Sequence, residues 1–366
     1  MQPQQPRVVI CGGGVIGAAV AYFLAARGVP ARIVERARPG AAASGHAGGF
    51  LALDWNDNTP IGPLARASFA MHRELATSLG VDVGYRELET LMVAGLDAGD
   101  VSRFRKLDSP RWLDGNVAVH SVIGTPATTA QVNPLQFTRA LVDGAVARGA
   151  ELVTGAVHGL ERSGPGGSVT GVLVDGNLIP ADVVVLALGP WMSHARAWVA
   201  LPTIHALKGA SIRLAADVPA QAVFSDYRLA SGKTVAPEIF PRPGGEVYIN
   251  GVPEGEPLPI DPDDITPSDA ACTELHRLAG AHSSLLAAAP ITGRAACYRP
   301  MADDGIPVIG PVPGTPGVIA ATGHGSWGIL NAPATGRMVA EMIMDGRSRS
   351  LDATPYSPSR LAAAMF

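Results

Sequence analysis

Residues 7–36, RVVICGGGVIGAAVAYFLAARGVPARIVER, decide the fold. Arg7–Ile10 is a short β-branched run. Gly12-x-Gly14-x-x-Gly17 follows it and opens a helix through Val15 and Ile16, and a second apolar strand, Ala31–Val34, ends at Glu35. Gly12 allows a tight strand-to-helix turn, Gly14 lets backbone approach a pyrophosphate, and Gly17 lets the helix lie close on the sheet. The helix N-terminus presents unpaired N–H groups and partial positive charge to the phosphates. Glu35 stands where a carboxylate can take both hydroxyls of an adenosine ribose. Strand, helix and acid in register read as a dinucleotide site rather than an idle glycine turn.

The rest of the composition agrees with a compact enzyme. At 366 residues, 47% hydrophobic and 16% charged, the chain has core enough for two domains. A net charge of −4 without a basic stripe argues against nucleic acid as a partner. No long apolar run is free of glycine and charge, so no membrane span is expected. MQPQQPRVV enters the first strand at once, leaving no room for a signal peptide. Cys11, Cys272 and Cys297 are too few and too scattered for a disulfide framework or a metal site. A cytoplasmic setting is the expectation.

Further along, PGAAASGHAGGF (39–50) reads as a loop that hugs a ligand, and Leu64–Leu79 as an amphipathic helix stopped by Gly80. Asn133 caps a helix with Pro134 at its first position, running to about Arg148, and a strand follows at Glu151–Val157. Asp175-Gly176 marks a hairpin turn. Val183–Leu188 suits a parallel strand buried on both faces, ending at Gly189-Pro190-Trp191. Strands with turns continue from Pro202, and Ser268–Leu286 is helical. GVIAATG then leads to HGSWGILNAPATG, where Pro333 places the start of the regular helix near Asn331. The fold class is α/β (α+β overall): a Rossmann-type dinucleotide domain with a second, mixed-sheet substrate domain. Residues 1–52, 130–203 and 290–350 would form the first domain, 53–129 and 204–289 the second, and 351–366 a C-terminal tail.

The ordered motifs VVICGGGVIGAAVAYFLAARG…VER, ASGHAGG, ADVVVLALGPW, LKGASIRL, VYINGVPE, CYRPMADDGIPVIG and ATGHGSWGILNAPATGRMVAEMI span nearly the whole chain. In these the chain resembles the DAO superfamily of FAD-dependent oxidoreductases, which includes glycine oxidase, sarcosine oxidase and D-amino-acid dehydrogenase. ASGHAGGFLALDW and GHGSWGILNAPATG are similar to a yeast and plant branch with a likeness to fructosyl-amine oxidases. The resemblance implies FAD held by Gly12, Gly14, Val15, Ile16 and Gly17, with Glu35 on the ribose and Arg36 beside the adenine. Ser44, Gly45, His46, Ala47, Gly48 and Gly49 would run past the pyrophosphate towards the flavin ring. Val157 would meet the adenine, and Ala187, Gly189 and Trp191 would close over the ADP half. Gly323, His324, Gly325, Ser326, Trp327, Gly328 and Ile329 would line the pyrimidine side of the flavin.

The implied reaction is oxidation of a C–N bond by hydride transfer to flavin N5, giving an imine that water hydrolyses. Backbone N–H groups of Gly325–Gly328 would stabilise the charge that develops at flavin N1 and O2. Arg299 occupies the arginine position that grips a substrate carboxylate in the amino-acid oxidases, and a guanidinium fits that role; a surface arginine in a proline-rich loop is the plainer reading. Tyr248, inward on EVYIN, could bond the substrate or simply pack. For His46 and His324, a catalytic role and an ordinary polar loop position both stand, and Trp327, Trp55 and Asp54 are lesser candidates. Cys297 sits where sarcosine oxidases carry a flavin-linked cysteine. Non-covalent FAD is favoured, because a free cysteine is more often a small buried hydrophobe. Lys208 is either structural or an aid to reaction with O2. A small amino acid or secondary amine is the expected substrate, with O2 or a quinone as acceptor and the oligomeric state open. An Amadori-compound oxidase and a non-catalytic FAD-containing assembly protein are the alternatives; an NAD-dependent dehydrogenase would leave the ASGHAGG and GHGSWG loops without a purpose.

Overall fold

The structure, a computed structural model, describes residues 5–364. Met1–Gln4, within the stretch read for a leader, and Met365–Phe366, the end of the tail, lie outside the described residues.

One six-stranded sheet has the order Val308–Pro311, Val318–Thr322, Val183–Leu186, Val8–Cys11, Arg32–Glu35, Glu151–Thr154. All neighbours are parallel except the antiparallel Val308–Pro311 edge. Val8–Cys11 and Val318–Thr322 are buried throughout, as the continuous apolar runs require. Helix Val15–Ala26 packs over this sheet between helices Pro134–Val146 and Gly328–Asp345. Its closeness depends on glycine: a Cβ on Gly17 would stand 2.0 Å from Gly12 O, and one on Gly336 would meet Ala19 at 2.6 Å. The opposite face is covered by the three-stranded sheet of Val157–Arg162, Val169–Val174 and Asn177–Pro180. Asp175 and Gly176, at φ 45° and 81°, make its hairpin turn. Asn133 accepts from Gln136 N and caps the Pro134–Val146 helix as expected.

The second, larger sheet runs Ile291–Ala302, Ile204–Ala215, Glu246–Pro253, Glu238–Arg242, Gln221–Arg228, Glu89–Leu96, Val117–Gly124, with Thr234–Val235 paired to Gln221–Arg228. Its strands alternate between two faces, with bulges in three of the pairings. Ile212, Val223, Ile239, Val247 and Ile249 pack under the helix Asp269–His282, while Phe224, Glu238, Phe240, Tyr248 and Asn250 line a cavity on the opposite face. The division drawn at residue 290 needs correction. Ile291–Ala302 pairs along its length with Ile204–Ala215, because this strand closes the larger sheet and not the nucleotide-type sheet. The described part of the tail is also packed in, with Tyr356 buried and its hydroxyl donating to Pro60 O at 2.8 Å. Among the described residues no helix is long and apolar enough to cross a membrane.

The C-terminal helix begins at Gly328 rather than near Asn331, and Pro333 lies inside it. A proline there has no N–H for the carbonyl one turn back. Helix Gly62–Ser78 supplies the missing partner. His72 Nε2 donates to Ile329 O at 3.0 Å and Leu330 O at 3.1 Å, and Ser68 Oγ accepts from Ala334 N at 2.9 Å. Burial holds the His72 pKa down to about 4, so the ring is neutral with its proton on Nε2. Removing this ring in His72→Ala leaves buried carbonyls unpaired and opens a cavity. Denaturant unfolding should show a loss of about 2–4 kcal/mol.

His72 and His282 both have folded pKa values of about 4, below the ordinary 6.5. The unfolded chain therefore binds these protons first as pH falls. The stabilisation is complete above about pH 6.5 and is lost progressively towards pH 4. The thermal midpoint should accordingly drop between pH 7.5 and pH 5, and less steeply in His72→Ala; a flat profile would contradict the neutral-histidine assignment.

Candidate active site

A cavity of about 540 Å³ runs from the first strand-to-helix turn to the face of the larger sheet. At one end lie Gly12, Gly14, Val15, Ile16, Glu35 and Arg36. Gly12 has φ +113°, and a Cβ there would stand 2.3 Å from Ala187 O, so only glycine fits. The Glu35 carboxylate is set by two backbone donors, Gly13 N at 2.7 Å and Ala37 N at 3.0 Å. Ser44 Oγ accepts from Val15 N at 2.9 Å, tying the short helix Ala43–His46 to the start of helix Val15–Ala26. The expected open loop is therefore partly helical. Val157, Ala187, Gly189 and Trp191 continue the wall, and Trp191 Nε1 donates to Pro259 O.

At the other end, His324, Gly325, Ser326, Trp327, Gly328 and Ile329 face Ala47, Gly48 and Gly49 across the space. The turn Gly325–Trp327 leads straight into helix Gly328–Asp345, so that end of the cavity meets a helix N-terminus. A Cβ on Gly48 would come within 2.5 Å of the Phe240 ring. Aromatic side chains close the far wall: Phe50, Trp55, Phe224 and Phe240 pack with centroids 4.9–5.5 Å apart, and Trp327 meets Trp55 edge-on at 6.2 Å. Arg299 is on the wall with Nη1 donating to Ser326 Oγ at 3.2 Å.

Four of the expected residues stand behind the wall rather than on it. Gly17 and Gly45 are packing glycines, pressed on Gly12 O and Gly40 O. Gly323, at φ +76°, turns the chain against Ala302 and Ile204. The His46 side chain faces a separate small pocket with Arg213 and Arg242, and burial lowers its pKa. That location removes it from contact with anything bound in the main cavity. Tyr248 presents its ring to the cavity, but its hydroxyl donates to His46 O at 3.0 Å and is not free for a substrate. The ring of His324 turns to Thr335 Oγ1 at 3.1 Å, and burial takes its pKa down to about 3. Burial also pushes the Cys297 thiol up to about 11, which opposes a thiolate attack. Lys208 is paired with Glu254 and Glu256 at 3.4 and 3.0 Å, away from the cavity wall, and Asp54 is likewise off it. The sequence reading missed Phe50, Phe224, Phe240, Glu238 and Asn250. The period-2 alternation from Tyr248 held the signal, since Asn250 follows on the same face and Phe240 and Glu238 are the cross-strand partners.

A glycine cradle at two helix starts, an acid ending the second strand and an aromatic chamber under a mixed sheet define a flavin-dependent oxidoreductase. The chain belongs to the DAO family of FAD-dependent oxidoreductases, whose pattern matches residues 7–342. A glycine oxidase of Geobacillus kaustophilus is 29% identical over 96% of each chain. A Schizosaccharomyces pombe protein named only as an oxidoreductase is 28% identical over 96% of this chain and 97% of its own length. The crystal structure of the Geobacillus kaustophilus glycine oxidase superposes with a TM-score of 0.80 at 27% identity, covering 97% of this chain and 99% of that one. The residues present fit the FAD that the family implies: the Gly12 position has no room for a Cβ, and the carboxylate of Glu35 is aimed by two backbone N–H groups.

Gly12→Ala would force both a strained φ and a 2.3 Å contact with Ala187 O. The variant should purify with little or no bound FAD, read as the ratio of 450 to 280 nm absorbance (about 450 nm being the flavin band). Undiminished flavin content would remove Gly12 from the cradle.

Proposed function

We propose that this protein oxidises the C–N bond of a small amino acid or secondary amine bearing a carboxylate. FAD supplies the hydride acceptor, and the resulting imine hydrolyses in water. The supporting observation is Arg299. It stands on the cavity wall with one hydroxyl contact and, among the described residues, no ion-pair partner. A half-buried guanidinium without a carboxylate is suited to receive one from a ligand. Ser326 Oγ fixes its orientation, and the aromatic wall of Phe50, Trp55, Phe224 and Phe240 excludes water from the space beside it.

The roles of the remaining residues follow from their places. Glu35 is aimed by Gly13 N and Ala37 N so that a ribose can be held without rearrangement. The backbone N–H groups of Gly325, Ser326 and Gly328 would stabilise negative charge developing on the flavin, that of Trp327 being spent on His324 O at 3.0 Å. Neither His324 nor His46 serves as a base, because the first is neutral and turned to Thr335 and the side chain of the second faces another pocket. An amine that gives its proton to water before the hydride leaves needs none. Relatives named for oxidation of glycine and of 4-methylaminobutanoate support an amine substrate that carries a carboxylate. The acceptor that reoxidises the flavin is either O2 or a quinone.

The reading is tested by mixing holoprotein anaerobically with amino acids and N-alkyl amino acids and following loss of the flavin band. Some of these should bleach it. Arg299→Ala should weaken binding of carboxylated substrates by about 2–4 kcal/mol, with little change for the matching decarboxylated amines. Absence of bleaching by every amine, with FAD firmly bound, would overturn the assignment.

A further inference from the structure

One charged group on the cavity wall has no part in the reading so far. Glu238 lies on the wall three strands across the sheet from Arg299. Among the described residues its carboxylate has a single hydrogen-bond partner, Asn250 Nδ2 at 3.0 Å on Oε2, and no cation pairs with it. Burial pushes this carboxyl up, against the opposing influence of the Asn250 bond and the Arg299 charge. A carboxylate withdrawn from water without a counter-charge is costly unless something that binds there supplies one. The rings beside it narrow the choice. Phe224 is its neighbour on one adjoining strand, Phe240 is on the same face of its own strand, and both touch Phe50. Trp55 completes the box against Phe50 and Phe224. A carboxylate set among aromatic faces is the chemistry that receives a cationic nitrogen carrying alkyl groups, through charge and through the ring quadrupoles together.

We infer that Glu238 is the specificity-determining residue for the cationic nitrogen of the ligand, so that the cavity selects zwitterions: a carboxylate at Arg299 and an alkylated ammonium at Glu238. The assignment rests on the proposed carboxylate contact of Arg299. Both groups line the one cavity. Period-2 alternation puts Glu238 there for a reason of its own. Its strand neighbour Ile239 is fully buried in the core beneath helix Asp269–His282, so residue 238 must point into the cavity, where an apolar side chain would pack at no desolvation cost.

The test compares two ligands of one shape that the flavin does not oxidise, on the FAD-loaded protein, read by perturbation of the flavin absorption band. Trimethylglycine carries a quaternary nitrogen where 3,3-dimethylbutanoate carries carbon, and the two are otherwise alike. Wild-type protein should bind trimethylglycine at least about tenfold more tightly, the scale of a desolvated cation–π contact with a counter-charge. Glu238→Gln keeps the shape and removes the charge. It should bring the ratio of dissociation constants close to one while leaving 3,3-dimethylbutanoate affinity and FAD content as they were. Equal affinities in the wild type, which need no variant to measure, overturn the inference. So does a ratio that survives Glu238→Gln, or loss of FAD from that variant. Arg299→Ala separates this inference from the functional reading. Equal binding of both ligands that Arg299→Ala weakens sinks only the Glu238 assignment, whereas ligands that neither bind nor respond to Arg299→Ala sink both.

Discussion

Close approach of bare backbone is the constraint on which the rest of the structure depends. Where the first strand turns into the first helix, Gly12 lies against Ala187 O and Gly17 lies against Gly12 O, with no space for a Cβ at either place. This contact joins the Val8–Cys11 strand, helix Val15–Ala26 and the end of the Val183–Leu186 strand at one point. Two stretches far apart in sequence thereby bring their peptide groups to one end of the cavity. Glu35 is part of the same junction, because its carboxylate accepts from Gly13 N and so holds the second strand to the first turn. Gly13 N and Val15 N are met by Glu35 and Ser44, and a helix start without side chains leaves its remaining donors to a ligand. The anionic middle of a dinucleotide is the complementary ligand.

The cavity is electrostatically divided. The nucleotide end is built from amides and one pre-set carboxylate. The far end combines Arg299, Glu238 and a wall of aromatic rings, with the imidazoles kept neutral by burial. Among the described residues neither Arg299 nor Glu238 forms a salt bridge, so a ligand carrying both charges would complete two interactions at once. In a low-dielectric chamber such interactions carry more weight than at the surface. They also select against ligands having only one charge, since the other group is then left unpaired.

Local patterns made the nucleotide half legible in the sequence. Gly12, Gly14, Glu35, the Asn133 cap and the Asp175-Gly176 turn are each decided by backbone geometry within a few residues, and all sit as the sequence implies. The substrate half depends on pairing between strands that are distant along the chain. Glu238 and Asn250 become neighbours only through the register of Glu238–Arg242 against Glu246–Pro253, and Phe224 joins them from a third strand. Ile291–Ala302 was assigned to the wrong side for the same reason: an isolated strand carries no mark of which sheet it will close. The His46 side chain lies off the cavity, and Tyr248 offers it a ring but no free hydroxyl, the phenol being spent on the His46 carbonyl.

Pro333 shows how the two ends of a helix can be under separate control. Its missing N–H would ordinarily loosen the first turns of the helix that starts at Gly328. Those turns carry the Gly325–Trp327 segment that walls the cavity. His72 and Ser68, one turn apart on helix Gly62–Ser78, take up the freed carbonyls and the Ala334 amide, so the defect is bound to a second helix rather than to solvent. The consequence is positional. A helix start that must hold several backbone N–H groups at one charge has its axis fixed by a lateral brace, instead of relying on its own ladder. Because the brace is a buried neutral imidazole, the geometry of that end of the cavity is tied to a singly protonated His72, even though the ring touches nothing that binds there.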